Sequence, residues 1–324
     1  MALHHIKKPI LFQGKGRKRE YFEGWYYKQG SKDGKSVVAL IPGISIAGRD
    51  DHCFVQSIYM STDKGGNQIV NTSYFNYPLC EFSYKDDPFI VKIADNYFTE
   101  SVVSVRLNGE NSSIEGTLIL DDLTTIRTSL LMPNIMGYFA YFPKMECYHG
   151  VMSMNHKVYG TLKVDGREIN FDGGSGYLEK DWGTSFPKKY IWIQCNQFKS
   201  KGVSLFCSIA NIPFMGSSFL GFICNIVIGT DEYRFATYNK SKLLIKNVDN
   251  RGVALLLTNK KAELKVEASI NRGGKLISPR NGMMQDAIKE GLTGTVQITL
   301  QSRDRRLIYE GWSQLAGIEI VGFA

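Results

Sequence analysis

The sequence predicts an all-β protein organised as two up-and-down antiparallel barrels in tandem, and three observations carry that expectation. Aromatic residues make up 12% of the chain, and there are 32 Gly against only 9 Pro, a balance that suits strands and tight turns better than helical bundles. Short runs rich in Val, Ile, Tyr, Phe and Thr recur at spacings of about 8–12 residues, the rhythm of a sandwich or barrel. Helical periodicity is nearly absent. The one candidate helix is the short segment 283–291, MMQDAIKEG.

Taken in order, the chain opens with a basic arm. The charge sum is +8, and seven cations against two anions fall in the first 28 residues, concentrated at Lys15, Arg17, Lys18 and Arg19. Such an arm suits an anionic membrane surface. No zinc-finger spacing, helix-turn-helix pattern or RNA-binding consensus accompanies it, which argues against nucleic acid. Strand-like runs follow at 37–46, 53–60, 68–76, 88–94 and 101–107, the last leading through Asn108-Gly109 to 114–120. A second series begins at 157–164, turns at Asp165-Gly166 into 167–171, and continues through 189–198, 203–211, 219–228, 232–238, 242–247, 252–258, 261–268 and 294–300.

The stretch 202–230 holds no charged residue and is long enough to span a bilayer. Asn211, Pro213, Gly216, Gly221 and Asn225 break it into two apolar runs, so a buried hairpin is expected. Glu23-Gly24-Trp25 near the start is echoed by Glu310-Gly311-Trp312 near the end. The echo and the polar segment MSMNHK place the expected domain boundary at 155/156, giving an N-terminal barrel over 1–155 and a C-terminal barrel over 156–324. The six cysteines show no CxxC and no histidine at ligand spacing, and they read as buried free thiols of a reducing, cytoplasmic compartment. No phosphate-binding loop, nucleophile elbow or metal-ligand spacing occurs, so neither cofactor nor metal is expected.

Strand alternation selects the candidate site residues. Glu23, Trp25 and Tyr27 share one face of their strand. Tyr177, Glu179 and Asp181 share a face of another. In the segment 190–196, Ile191, Ile193 and Cys195 form a purely apolar set that should meet a core, and Tyr190, Trp192, Gln194 and Asn196 point the opposite way. Cys147 and His149 also share a face. If the polar sets line a barrel lumen, they form a cavity with carboxyls, amides and aromatics.

Several segments together resemble the tocopherol cyclase family: YFEGWYYK (21–28), MECYHGVMSMNH (145–156), GYLEKDWGTSFPKKYIWIQCNQF (176–198), SIANIPFMGSSFLGFIC (208–224), YRFATY (233–238) and YEGWSQLAGIEIVG (309–322). The resemblance implies two lipocalin-like β-barrels in tandem with an apolar ligand site, a group that includes carotenoid hydratases. The implied reaction is cofactor-free: a proton adds to the trisubstituted alkene of a prenylated hydroquinone, and the phenol oxygen closes a chromanol ring. A carboxyl buried among aromatics stays protonated more readily, which makes Asp181, Glu179 and Glu23 the candidate acids. Trp25, Tyr27, Tyr177, Tyr190, Trp192, Gln194, Asn196 and His149 are the candidate substrate contacts. No long N-terminal extension of the chloroplast-targeted kind precedes these segments, as expected of a bacterial relative. Two alternatives stand beside the cyclase: a carrier of an apolar isoprenoid with no chemistry, and a terpenoid or carotenoid hydratase.

Overall fold

A computed structural model describes residues 3–110, 112–214 and 216–323. One short helix, α1 (Leu3–Lys7), precedes the strands. The first twelve strands are β1 (Tyr21–Gly30), β2 (Ser36–Ile46), β3 (His52–Thr62), β4 (Gln68–Pro78), β5 (Phe82–Asp86), β6 (Phe89–Ile93), β7 (Asn96–Phe98), β8 (Val102–Asn108), β9 (Ser113–Asp121), β10 (Cys147–Val164), β11 (Arg167–Asn170) and β12 (Gly174–Gly183). The remaining ten are β13 (Tyr190–Cys195), β14 (Val203–Phe214), β15 (Ser217–Ile228), β16 (Asp231–Ala236), β17 (Lys242–Val248), β18 (Gly252–Thr258), β19 (Ala262–Ser269), β20 (Gly274–Arg280), β21 (Met283–Ser302) and β22 (Leu307–Val321).

The strands form two antiparallel sheets. The first runs β4-β3-β2-β1-β12-β10-β9-β8-β7-β6-β5 with β11 paired to β10, and the second runs β16-β15-β14-β13-β22-β21-β19-β18-β17 with β20 paired to β21. The all-β lipocalin-like expectation holds at the level of these sheets. Closure does not: among the described residues each sheet is an open path with two ends, so open sheets stand where closed barrels are expected.

The expected division at 155/156 falls inside β10, a continuous strand that pairs with β12 in its first half and with β9 and β11 in its second. The compact units are instead residues 1–136, 140–186 and 276–287, and residues 137–139, 187–275 and 288–324. The Glu-Gly-Trp echo is not a structural repeat, because Trp25 is fully buried while Trp312 is 43% exposed. The expected helix at 283–291 is part of β21, whose first residues alternate between partly buried and exposed. Nine residues are too few to sustain a helix in competition with strand pairing. The uncharged stretch is the β14–β15 hairpin, paired in register from Val203↔Ile228 to Phe214↔Ser217, and no helix among the described residues is long and apolar enough to cross a membrane.

Local chemistry accounts for the joints. Asp165 and Gly166 both have positive φ (48° and 79°) between β10 and β11, the backbone of a two-residue hairpin turn. In the second unit, Ile191, Ile193 and Cys195 enter an apolar core with Leu205, Cys207, Ile209, Leu255, Val266 and Ile298, as alternation predicts. All six cysteines are free, four of them buried. Cys147 is partly buried and Cys80 is exposed, so the expectation of buried thiols fails at Cys80.

Candidate functional site

Three neighbouring strands of the first unit, β1, β12 and β10, hold most of the candidate residues, and the ladders sort them onto two faces. Across β1 and β12, Glu23 is opposite Trp182, Trp25 opposite Lys180 and Tyr27 opposite Leu178. The same ladder puts Gly24 opposite Asp181, Tyr26 opposite Glu179 and Lys28 opposite Tyr177. Directly paired residues share a face. Glu23, Trp25 and Tyr27 therefore lie on one side of the sheet, and Tyr177, Glu179 and Asp181 on the other. His149 of β10 is opposite Asp181 and joins the second group.

The Glu23 face is occupied by the chain's own N-terminal segment. Glu23 and Lys180 form an ion pair with both side chains fully buried. Lys180 Nζ also donates to the carbonyls of Pro9 (2.9 Å) and Leu11 (2.5 Å), and it lies 4.6 Å from the Trp25 ring and 4.9 Å from the Trp182 ring. Glu23 accepts from the backbone N–H of Gln13 and from the Tyr21 hydroxyl at 2.5 Å. Trp25 Nε1 donates to the Ile10 carbonyl (2.7 Å), and the Tyr27 hydroxyl donates to the Thr99 carbonyl (2.9 Å). Burial lowers the Lys180 pKa to about 8, against the opposing pull of Glu23. Every polar atom of the Glu23 carboxylate is thus engaged, and the group works as the acceptor of a buried latch. A cavity of about 470 Å3 lined by Phe12, Ile44, Ile46, Leu79, Phe82 and Tyr84 opens on this same face.

The opposite face carries an acid–base cluster. His149 Nδ1 lies 2.7 Å from Asp181 Oδ1, and its Nε2 lies 3.4 Å from Glu179 Oε2. The Tyr177 hydroxyl donates to Glu179 Oε2 at 2.7 Å, and the Cys147 thiol faces Asp181 Oδ1 at 3.8 Å. Burial by itself lowers the imidazole pKa, but the charges and hydrogen bonds of Asp181 and Glu179 outweigh it and lift the value to about 10, so an imidazolium persists at neutral pH. Burial, reinforced by Glu179, pushes the Tyr177 hydroxyl well above its ordinary value, and burial with Asp181 does the same to the Cys147 thiol. Both stay protonated. The cluster is graded in exposure: Glu179 is 5% exposed, His149 14% and Asp181 24%. Gly24, opposite Asp181, adds no side chain to cover it, and Asp181 is the most exposed of the three.

The other candidates belong to the second unit. Tyr190 donates to Glu319 Oε2 at 2.5 Å, Gln194 Nε2 donates to Asn196 Oδ1 at 3.3 Å, and the Trp192 ring fills the space above Gly317. Sequence reasoning misses Lys180 as the partner of Glu23, and it misses Tyr26 and Lys28 as neighbours of the cluster. Alternation separates Tyr26 and Lys28 from Glu23, which is the signal the sequence offers. Among the described residues no group of three or more His, Cys, Asp or Glu is placed to hold a metal ion.

An all-β pair of antiparallel sheets carrying a histidine between two carboxylates describes the class of protein. The chain belongs to the tocopherol cyclase-like family, whose model matches residues 130–322. That range contains His149, Tyr177, Glu179 and Asp181 and excludes Glu23 and Trp25. A chloroplastic tocopherol cyclase of Zea mays is 37% identical over 62 residues, which is 19% of this chain and 13% of the maize protein's length. Two solved structures share the fold: CghA bound to Sch210972, with TM-score 0.56 and 8% identity over 93% of this chain and 88% of that one, and kievitone hydratase of Nectria haematococca, with TM-score 0.52 and 10% identity over 96% and 93%.

Proposed function

We propose that this chain catalyses a proton-initiated addition to an alkene of the tocopherol cyclase type, closing a chromanol ring on a prenylated hydroquinone. The observation that carries the reading is His149 held between Glu179 and Asp181, inside the residues matched by the family. In the free protein the proton resides on the imidazole. An apolar substrate settling on Asp181 removes water from the ion pair, which favours the neutral pair and moves the proton from His149 Nδ1 to the carboxylate. Asp181 then protonates the less substituted alkene carbon. The tertiary cation is captured by the phenol oxygen, and the phenolic proton returns to the Asp181–His149 pair. One proton leaves and one returns, so the product is an isomer of the substrate and the cluster ends as it began. Glu179, fixed by Tyr177, holds the far side of the imidazole and orients it. General acid catalysis of this kind contributes about 10²–10⁴-fold.

The fold shared with kievitone hydratase favours a second reading, in which water captures the same cation. The exposed cations Lys15, Arg17, Lys18 and Arg19 would bring the protein to anionic membranes where prenyl lipids reside.

The test is incubation with a prenylated hydroquinone in deuterated water. A cyclase gives a product of unchanged formula carrying one carbon-bound deuterium, a hydratase adds the mass of water, and a carrier returns the ligand unaltered. The last result would overturn the enzymatic reading.

A further inference from the structure

Leu130 and Leu131 are 70% and 73% exposed, more than any other large apolar side chain among the described residues. They sit side by side at the tip of a closed turn between β9 and β10. Across it the Ser129 N–H donates to the Met132 carbonyl at 2.9 Å and the Met132 N–H to the Ser129 carbonyl at 3.1 Å. The Tyr141 hydroxyl donates to the Leu130 carbonyl at 2.6 Å. The central positions of tight turns ordinarily carry Gly, Pro, Asn, Asp or Ser. Two leucines there serve neither the turn nor a core.

The tip stands on a fixed base. Pro133, Ile135 and Met136 are buried, and the Asn134 side chain, also buried, accepts from the Met136 N–H at 2.9 Å and donates to the Ile6 carbonyl at 2.9 Å. That second bond docks α1 beside the loop. With α1 come Leu3, 53% exposed, and the exposed Lys7, followed by the exposed Lys8. Phe142, next to Tyr141, is exposed as well. The charge along both segments has one sign. Residues 123–145 contain Arg127 and Lys144 and no Asp or Glu, and residues 1–19 contain no Asp or Glu either.

We propose that the Leu130–Leu131 tip is a membrane-insertion finger: the two leucines enter the acyl region of an anionic bilayer, Phe142 lies at headgroup level, and Lys7, Lys8, Arg127 and Lys144 meet lipid phosphates. Single exposed leucines need no explanation, whereas paired leucines on a braced tip among cations match an interface that is negative at its surface and apolar beneath. A projecting tip is covered most fully by a medium that flows around it, which favours lipid over a folded partner. This surface is distinct from the arm at Lys15, Arg17, Lys18 and Arg19, whose attraction is electrostatic alone. It is also independent of the proton chemistry, because no substrate enters the measurement.

The probe is a vesicle of equal parts phosphatidylcholine and phosphatidylglycerol, mixed with the intact protein and sedimented. The native protein should bind, and Leu130→Ser/Leu131→Ser should bind about 100-fold more weakly, the cost of leaving two leucine side chains without an apolar medium. Its thermal midpoint should not change, since neither leucine is buried in the free protein. Leu131→Trp should keep binding, and the added indole should shift its emission to the blue and be quenched by phosphatidylcholine brominated in its acyl chains. Leu244→Ser, an exposed leucine of β17, should change nothing. Replacing the four arm cations with Gln should weaken binding at low salt yet keep the quenching at position 131 once lipid is saturating. Absence of native binding, native affinity in the double serine variant, or an unquenched indole at position 131 overturns the finger. A native dimer that the double serine variant splits into monomers would make the tip an interface between copies, and would overturn it as well.

Discussion

Glu179 and Lys180 are consecutive residues whose side chains leave β12 on opposite faces of the sheet, one toward His149 and the other into a buried ion pair with Glu23. A single strand thus carries an acid–base cluster on one side and a structural latch on the other. The two sides fail differently when altered.

Asp181→Asn keeps the size of the side chain and removes its charge. Turnover of any accepted substrate should fall by about 10²–10⁴-fold with substrate binding largely kept. Steady-state kinetics beside direct binding checks it. Glu179→Gln should lose less, since Glu179 acts through His149.

Glu23→Gln leaves Lys180 buried and unpaired, and should cost about 3–5 kcal/mol of stability. The double variant Glu23→Gln/Lys180→Met removes both charges and should recover most of that loss. Denaturant unfolding of the singles and the double measures the coupling.

His149 titrates at about 10 in the folded protein and near 6.5 when unfolded. Its contribution to stability is therefore fully present below pH 6.5 and is lost as pH rises through 10. Lys180, lowered to about 8, acts in the opposite sense between about pH 8 and 10.5, so the comparison must be with a variant. The stability difference between the native protein and His149→Gln should shrink steadily from pH 6.5 to 10.

His156 lies on the latch face, 3.0 Å from Gln29 Oε1 and 3.1 Å from Ser153 Oγ. Burial lowers its pKa to about 3, so it is neutral in the fold and favours folding above pH 6.5. That contribution is lost as pH falls toward 3, at up to about 1.4 kcal/mol per unit. His156→Gln should flatten the acid limb of the stability profile. A Cβ at Gly176 would lie 1.9 Å from Gln29 Oε1 and 2.1 Å from His156 Nε2, so Gly176→Ala should disrupt the same contacts.

Period-two alternation makes the strand faces legible in the sequence. It places Tyr177, Glu179 and Asp181 together, Cys147 with His149, and Ile191, Ile193 and Cys195 in a core. It does not say which strands are neighbours. Glu23 reads as an acid because the next residues on its own face are the aromatics Trp25 and Tyr27, and its actual partner is 157 residues away, brought beside it by the β1–β12 ladder. His149 likewise gains its carboxylates only through the β10–β12 ladder. The segment 283–291 misleads for the converse reason: its Met, Ala, Lys and Glu favour a helix locally, and pairing within the second sheet overrides them.

The most direct test compares deuterium incorporation from deuterated water into product by Asp181→Asn and by Glu23→Gln/Lys180→Met, each shown to be folded. The proton-transfer account predicts that the label disappears with Asp181→Asn and persists in the double variant. Label retained at the native rate in Asp181→Asn, with its loss in the double variant, would contradict it and return the acid to the Glu23 face.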